Sequence, residues 1–113
     1  MQTNIASFKQ LPIEVRKKKA ESERNGHPDK IPILIESSPG ELGLLFCLPG
    51  SVKVLSLIQH LRKIFKTSET MAMYIYSKNK VLNPDCLVGK CYQDCKSEDG
   101  FLYLSRKEME AIG

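Results

Sequence analysis

Four cysteines, two histidines, a run of four cations and a glycine at the last position are the residues of this 113-residue chain whose types could take part in chemistry. Gly113 closes a segment, residues 105–112, that reads as too polar to pack. Its carboxylate would be reachable, and its carbonyl has no adjoining Cβ to hinder attack. Those are the properties of a carboxyl-terminal conjugation handle. Cys86, Cys91 and Cys95 lack the tight C-x2-C pairs of structural zinc, and of these Cys91 and Cys95 alone share a helix face, so thiols packed in or near a core are the better reading. His27 and His60 stand beside no cysteine in any motif, which argues against a Cys–His hydrolase, and neither a glycine-rich phosphate loop nor a paired-carboxylate signature is present. No catalytic residue, metal or cofactor is expected.

The composition bounds the answer further. Apolar residues at 42% and charged residues at 27% are ordinary for one small globular domain. Seventeen basic against thirteen acidic side chains give +4, a surplus that favours anionic surfaces without requiring nucleic acid. Part of it sits in Arg16-Lys17-Lys18-Lys19, but alternating charge follows at Glu21 to Arg24, which reads as a solvated helix face. The first seven residues carry neither a basic start nor an apolar core of the export type. The stretch from Leu42 to Leu48 is far short of a membrane span. The expectation is a cytoplasmic chain with reduced thiols that must acquire any membrane attachment.

These residues need elements to hold them. The pattern predicts a short helix around Ser7 to Gln10, then a second with Pro12 in its first turn that stops at Asn25-Gly26. A strand follows over Lys30 to Glu36, where Pro32 argues for an edge or an unpaired N–H. Ser38-Pro39-Gly40 turns the chain into a second strand, Leu42 to Leu48. Ser51 is the expected cap of a helix to about Phe65, with Val54, Ile58, Leu61 and Phe65 as its core stripe. Met71 to Tyr76 reads as a strand, Asn79-Lys80 as a turn, Leu87 to Cys95 as a short helix and Phe101 to Leu104 as the last strand. This order is α+β: a ubiquitin-like β-grasp, with a four-stranded mixed sheet and a central helix, preceded by two N-terminal helices. The expected division is a helical extension over 1–26, the β-grasp core over 27–105 and a flexible conjugation tail over 106–113. Leu44 to Leu48 is apolar at consecutive positions, so one face can enter the core while the other needs a cover. That cover is either the N-terminal helices or an added peptide strand.

The segments Ser7-Phe8-Lys9, Lys19-Ala20-Glu21-Ser22-Glu23-Arg24, Pro28-Asp29-Lys30-Ile31-Pro32, Phe46-Cys47-Leu48-Pro49, Arg62-Lys63, Tyr92-Gln93 and Asp99-Gly100-Phe101-Leu102-Tyr103 occur in an order that resembles the autophagy-related protein eight family, which includes the GABA-receptor-associated proteins. Gly113 falls where that family's conjugated glycine falls. The resemblance implies a non-enzymatic ubiquitin-like modifier joined to phosphatidylethanolamine by activating and conjugating enzymes. A cysteine protease would process or release it, and it would sit on autophagosome membranes once lipidated. Partner proteins would carry an aromatic-x-x-aliphatic motif.

By the same resemblance, Glu21, Pro32, Leu34, Leu45, Cys47 and Phe101 would line a first pocket for the aromatic residue. Phe46, Leu48, Pro49, Val52, Leu57 and His60 would line a second for the aliphatic one. Lys30 and Arg62 would attract flanking acids. The sequence departs from the family's pattern where Leu45 replaces a usual lysine, Asn25 an isoleucine and His60 an aliphatic residue, which bears on partner choice. Two further readings are an adaptor with the same groove that is never conjugated, and a basic phosphoinositide or nucleic-acid binder centred on Arg16 to Lys19. Nucleic acid is not the expected partner.

Overall fold

The computed structural model describes residues 2–26, 28–36 and 43–110. Ten elements follow one another: β1 (Gln2–Thr3), α1 (Ile5–Lys9), α2 (Ile13–Gly26), β2 (Lys30–Glu36), β3 (Gly43–Pro49), α3 (Val54–Ile64), β4 (Met71–Ser77), β5 (Lys80–Val81), α4 (Val88–Cys95) and β6 (Leu102–Glu110). They build one mixed sheet in the order β1-β3-β2-β6-β4-β5, in which the β2–β6 pair is parallel and the others are antiparallel. The expected four strands are its centre. The two additional ones are two residues long each, too short to produce a period in sequence.

Both faces of the sheet are covered where β2 runs. On one side α3 inserts Val54, Leu57 and Leu61 against Ile31, Ile33, Ile35, Ile75, Leu102 and Leu104. On the other, α1 and α2 bring Ile5 and Ala20 onto Leu34, Leu45 and Phe101. Burial on both faces explains why Ile31 to Ile35 is apolar without alternation. Pro32 therefore lies in an interior strand rather than at an edge; pairing with β6 begins one residue later, at Ile33. The α3 core stripe holds Leu57 where Ile58 was expected, and Ile58 and Phe65 pack only partly.

Ser51 does not cap α3. The helix starts two residues later with Lys53 at the N-cap and no side-chain cap. Its first N–H groups are instead taken by the loop before α4: Val54 N donates to Cys86 O and Leu55 N to Pro84 O, both at 2.9 Å. The exchange is mutual, because Val88 N donates to Val52 O at 2.7 Å and Gly89 N to Gly50 O at 2.9 Å. Two helix starts thus satisfy their orphan donors on each other's approach loops, a tertiary solution with no local sequence mark. It requires close backbones: a Cβ on Gly89 would stand 3.0 Å from Gly50 O.

The expected last strand, Phe101 to Leu104, is longer. β6 runs to Glu110, which pairs with Met71 of β4. Residues 106–110, expected in the flexible tail, are therefore sheet, because their polar side chains find partners. Arg106 stacks its guanidinium 3.5 Å from the Phe65 ring centroid and bonds Glu108 at 2.7 Å, and Glu108 accepts from Thr67 Oγ1 at 2.6 Å. The Asn79-Lys80 turn lies one residue earlier, at Lys78-Asn79, whose φ values of 51° and 67° suit a two-residue hairpin joining β4 to β5. The Ser38-Pro39-Gly40 turn and His27 lie outside the described residues.

Candidate functional site

β3 alternates between two environments. Leu45 faces the N-terminal helices and is 7% exposed, while Leu44, Phe46 and Leu48 pack toward α3. Its outer edge is taken at Gly43 and Leu44 by β1. From Phe46 to Pro49 no strand lies beyond it among the described residues. Both covers foreseen for this apolar strand are thus relevant: the N-terminal helices bury Leu45, and the far end keeps a pairing edge.

The residues assigned to the first pocket separate into floor and rim. Leu34 and Phe101 are fully buried, and Pro32 is buried beside them, so they can only be floor. Phe101 is fixed there by the edge of Phe8, ring centroids 5.3 Å apart. Cys47 is half-buried at the rim, with Sγ donating to Glu23 Oε2 at 3.7 Å. Burial, then the Glu23 carboxylate, pushes this thiol up, with Lys30 opposing, so it stays protonated and weakly nucleophilic. Glu23 was not among the assigned residues. It bridges α2 to β3 and also pairs with Lys19 at 3.3 Å; its position three residues after buried Ala20, on the same helix face, was the available signal. Glu21 is exposed and lines a different cleft, of about 520 Å3, with Lys17, Arg24, Asn25 and Tyr92.

The second group holds together better. Phe46, Leu48, Pro49 and Val52 are half-buried, and Phe46 and Leu48 pack against the core cluster that contains the buried Leu57. The exposed His60 stands edge-on to Phe46, with ring centroids 6.4 Å apart. Lys30 lies across from Pro49 at the strand's end. Arg62 is not a free rim cation, because it donates Nη1 to Met71 O at 2.6 Å and Nη2 to Ser68 O at 2.9 Å, securing the loop between α3 and β4.

The cation run is split. Arg16 pairs with Asp99 at 3.0 Å, Lys19 with Glu23, and Lys18 is exposed. Asp99 is fully buried and also accepts from Tyr103 Oη at 2.5 Å and from Phe101 N at 3.0 Å. This knot pins α2 to the start of β6 across 83 residues of sequence, so no local spacing could have revealed it. Cys91 is buried, Cys86 and Cys95 pack against the α3-side core, and burial pushes the Cys91 thiol up. Among the described residues no group of three or more His, Cys, Asp or Glu is placed to hold a metal ion, and no helix is long and apolar enough to cross a membrane. Gly113 lies outside the described residues.

The family model described as "Autophagy protein Atg8 ubiquitin like" fits residues 15–113. The chain belongs to the Atg8 family of ubiquitin-like autophagy proteins. It is 32% identical to Autophagy-related protein 8d of Arabidopsis thaliana over 115 residues, covering 96% of each chain. Autophagy-related protein 8 of Dictyostelium discoideum is 28% identical over 117 residues, with 97% of this chain and 96% of that one covered. The crystal structure of Trypanosoma brucei ATG8 superposes with a TM-score of 0.79 at 29% identity, over 92% of this chain and 94% of that one. The Atg8 family thus accounts for the β-grasp and for the helices that precede it.

Proposed function

We propose that this chain is an autophagy modifier that is joined through Gly113 to phosphatidylethanolamine and recruits motif-bearing proteins through the β3 edge. The observation that carries the docking half is the pairing edge from Phe46 to Pro49, bordered by half-buried apolar side chains toward α3 and by Cys47 toward α2. An extended peptide adding there gains main-chain hydrogen bonds from the strand and selectivity from the pockets beside it. The chain does no chemistry itself. An activating enzyme adenylates the Gly113 carboxylate, enzyme cysteines carry the acyl group as a thioester, and the lipid amine displaces the thiolate to form an amide. A cysteine protease reverses or prepares the attachment. The two acyl chains of the lipid suffice for stable anchoring where one would not. The protein then passes from the cytoplasm to the autophagosome membrane.

Incubating the chain with its cognate conjugation enzymes, ATP and phosphatidylethanolamine liposomes tests the first half: a lipid-dependent gel shift is expected, lost on deleting Gly113. Lipid attachment that survives the deletion refutes the assignment of Gly113. Titration with a peptide carrying an aromatic residue, two spacers and an aliphatic residue tests the second. Leu48→Asp should abolish binding by setting an unpaired charge among apolar groups. Binding without any gel shift would leave the unconjugated adaptor.

A further inference from the structure

Where the N-terminal helices meet the β4–β5 hairpin and β6 lies a cleft of about 450 Å3 that none of the residues assigned to the two docking pockets lines. Three cations from three separate elements face into it: Lys9 of α1, Arg16 of α2 and Lys78 of the hairpin turn. Glu36 supplies the one carboxylate among the described lining residues. Lys9 and Lys78 form no ion pair among the described residues, so their charge is not already spent.

Two of the cations are held in place by the fold itself. Arg16 donates Nε to the Leu11 carbonyl and Nη1 to Asp99, each at 3.0 Å. With a further side-chain contact to Tyr103, these bonds hold the planar guanidinium fork in a fixed orientation. Lys9 Nζ stands 4.9 Å from the ring centroid of Tyr103, which also lines the cleft. Cations positioned before a ligand arrives lose less conformational freedom on binding it.

We propose that this cleft binds a phosphorylated ligand, with a phosphate monoester dianion held between Lys9, Arg16 and Lys78. A guanidinium fork and two ammonium groups lining one cleft match the several oxygens and double charge of such a group better than a single carboxylate. A cleft of about 450 Å3 has room for a head group or small metabolite; nucleic acid is held along an extended surface track of phosphates. The site goes beyond the docking edge and the conjugation reading and needs neither.

The experiment is an NMR titration of the isotopically labelled full chain with inorganic phosphate and with myo-inositol hexakisphosphate, read at the amides of Asn79, Ser97 and Ser105 in the cleft wall. Saturable shifts confined to this wall are expected. Affinity should fall at least about tenfold in Lys9→Ala/Lys78→Ala, as expected for lost charge-assisted hydrogen bonds. It should hold in Lys18→Ala/Lys63→Ala, which removes the same charge from exposed positions elsewhere. Flotation with phosphatidylcholine vesicles, with and without phosphatidylinositol phosphate, separates the sources: capture by the phosphorylated vesicles assigns a lipid head group, and binding of the soluble anions alone assigns a free metabolite. Shifts scattered over exposed lysines, no saturation, or equal weakening in both double variants would overturn the site.

Discussion

Replacing Asp99 with alanine should be among the most damaging single changes in this protein, although Asp99 touches neither α3 nor the docking edge. Its side chain is 0% exposed and accepts three hydrogen bonds: from Arg16 and Tyr103 at Oδ2 and from the Phe101 backbone at Oδ1. Removing the carboxylate strands a buried N–H, a half-buried phenol and a guanidinium at once. Breaking a buried ion pair from one side typically costs about 3–5 kcal/mol. Because the Arg16 side chain keeps 19% exposure and can turn to water, the lower end applies, about 3 kcal/mol. For a domain of this length that corresponds to a fall in Tm of roughly 10–15 °C. Urea unfolding measures the loss, and a double-mutant cycle with Arg16→Met isolates the pair, with a coupling above about 1 kcal/mol expected. Hydrogen exchange should localise the loosening to α2 before the rest of the sheet opens. A Tm within about 2 °C of wild type, or an additive cycle, would refute the pinning of α2 by this knot and leave the packing of Ile5 and Phe8 as what holds the N-terminal helices.

Other consequences follow from the same contacts. Phe101→Ala should cost about 3–5 kcal/mol, since the ring is fully buried between sheet and helices, and should weaken motif-peptide binding in parallel; an unchanged Tm would contradict its place in the core. Burial, then the Asp99 carboxylate, raises the Tyr103 phenol above its ordinary value. Above about pH 10 the unfolded chain therefore loses this proton first, and stability falls as pH rises, by less than about 1.4 kcal/mol per pH unit after solvent screening. Tyr103→Phe should flatten that alkaline limb, and an identical limb would show that the phenol is not the group responsible. Leu45→Lys should lower stability, because the new ammonium must leave a cluster where Leu45 is 7% exposed, and should restore a preference for peptides with flanking acids. Arg62→Ala should leave that preference unchanged while loosening the loop after α3; a lost preference would return Arg62 to the rim.

Element types and the fold were legible from the chain alone, because helical and strand periods are local and hydrophobic patterning states which residues need cover. The limits of α2 and β2 and the order of hairpin, helix, strand, short helix and strand followed from proline, glycine and the spacing of apolar side chains, whereas the burial of β2 on both faces did not, since Pro32 pointed to an edge. The family tags added the Atg8 likeness, which the comparisons then established.

What tertiary structure decided were matters of which distant groups meet. The start of α3 moved from Ser51 to Lys53 because backbone carbonyls of the 84–86 loop serve as its cap, and sequence does not mark a cap that comes from another segment. Arg62 became a loop fastener and Glu23, rather than Glu21, reached Cys47, since a charge's partner depends on where its helix face points. Residues 106–110 became strand because β4 offered them a register and Phe65, Thr67 and Glu108 gave their polar side chains partners. The knot of Arg16, Asp99 and Tyr103 joins α2 to the start of β6, segments far apart in the chain. Its energy comes from burial, and burial belongs to the assembled fold rather than to any stretch of sequence.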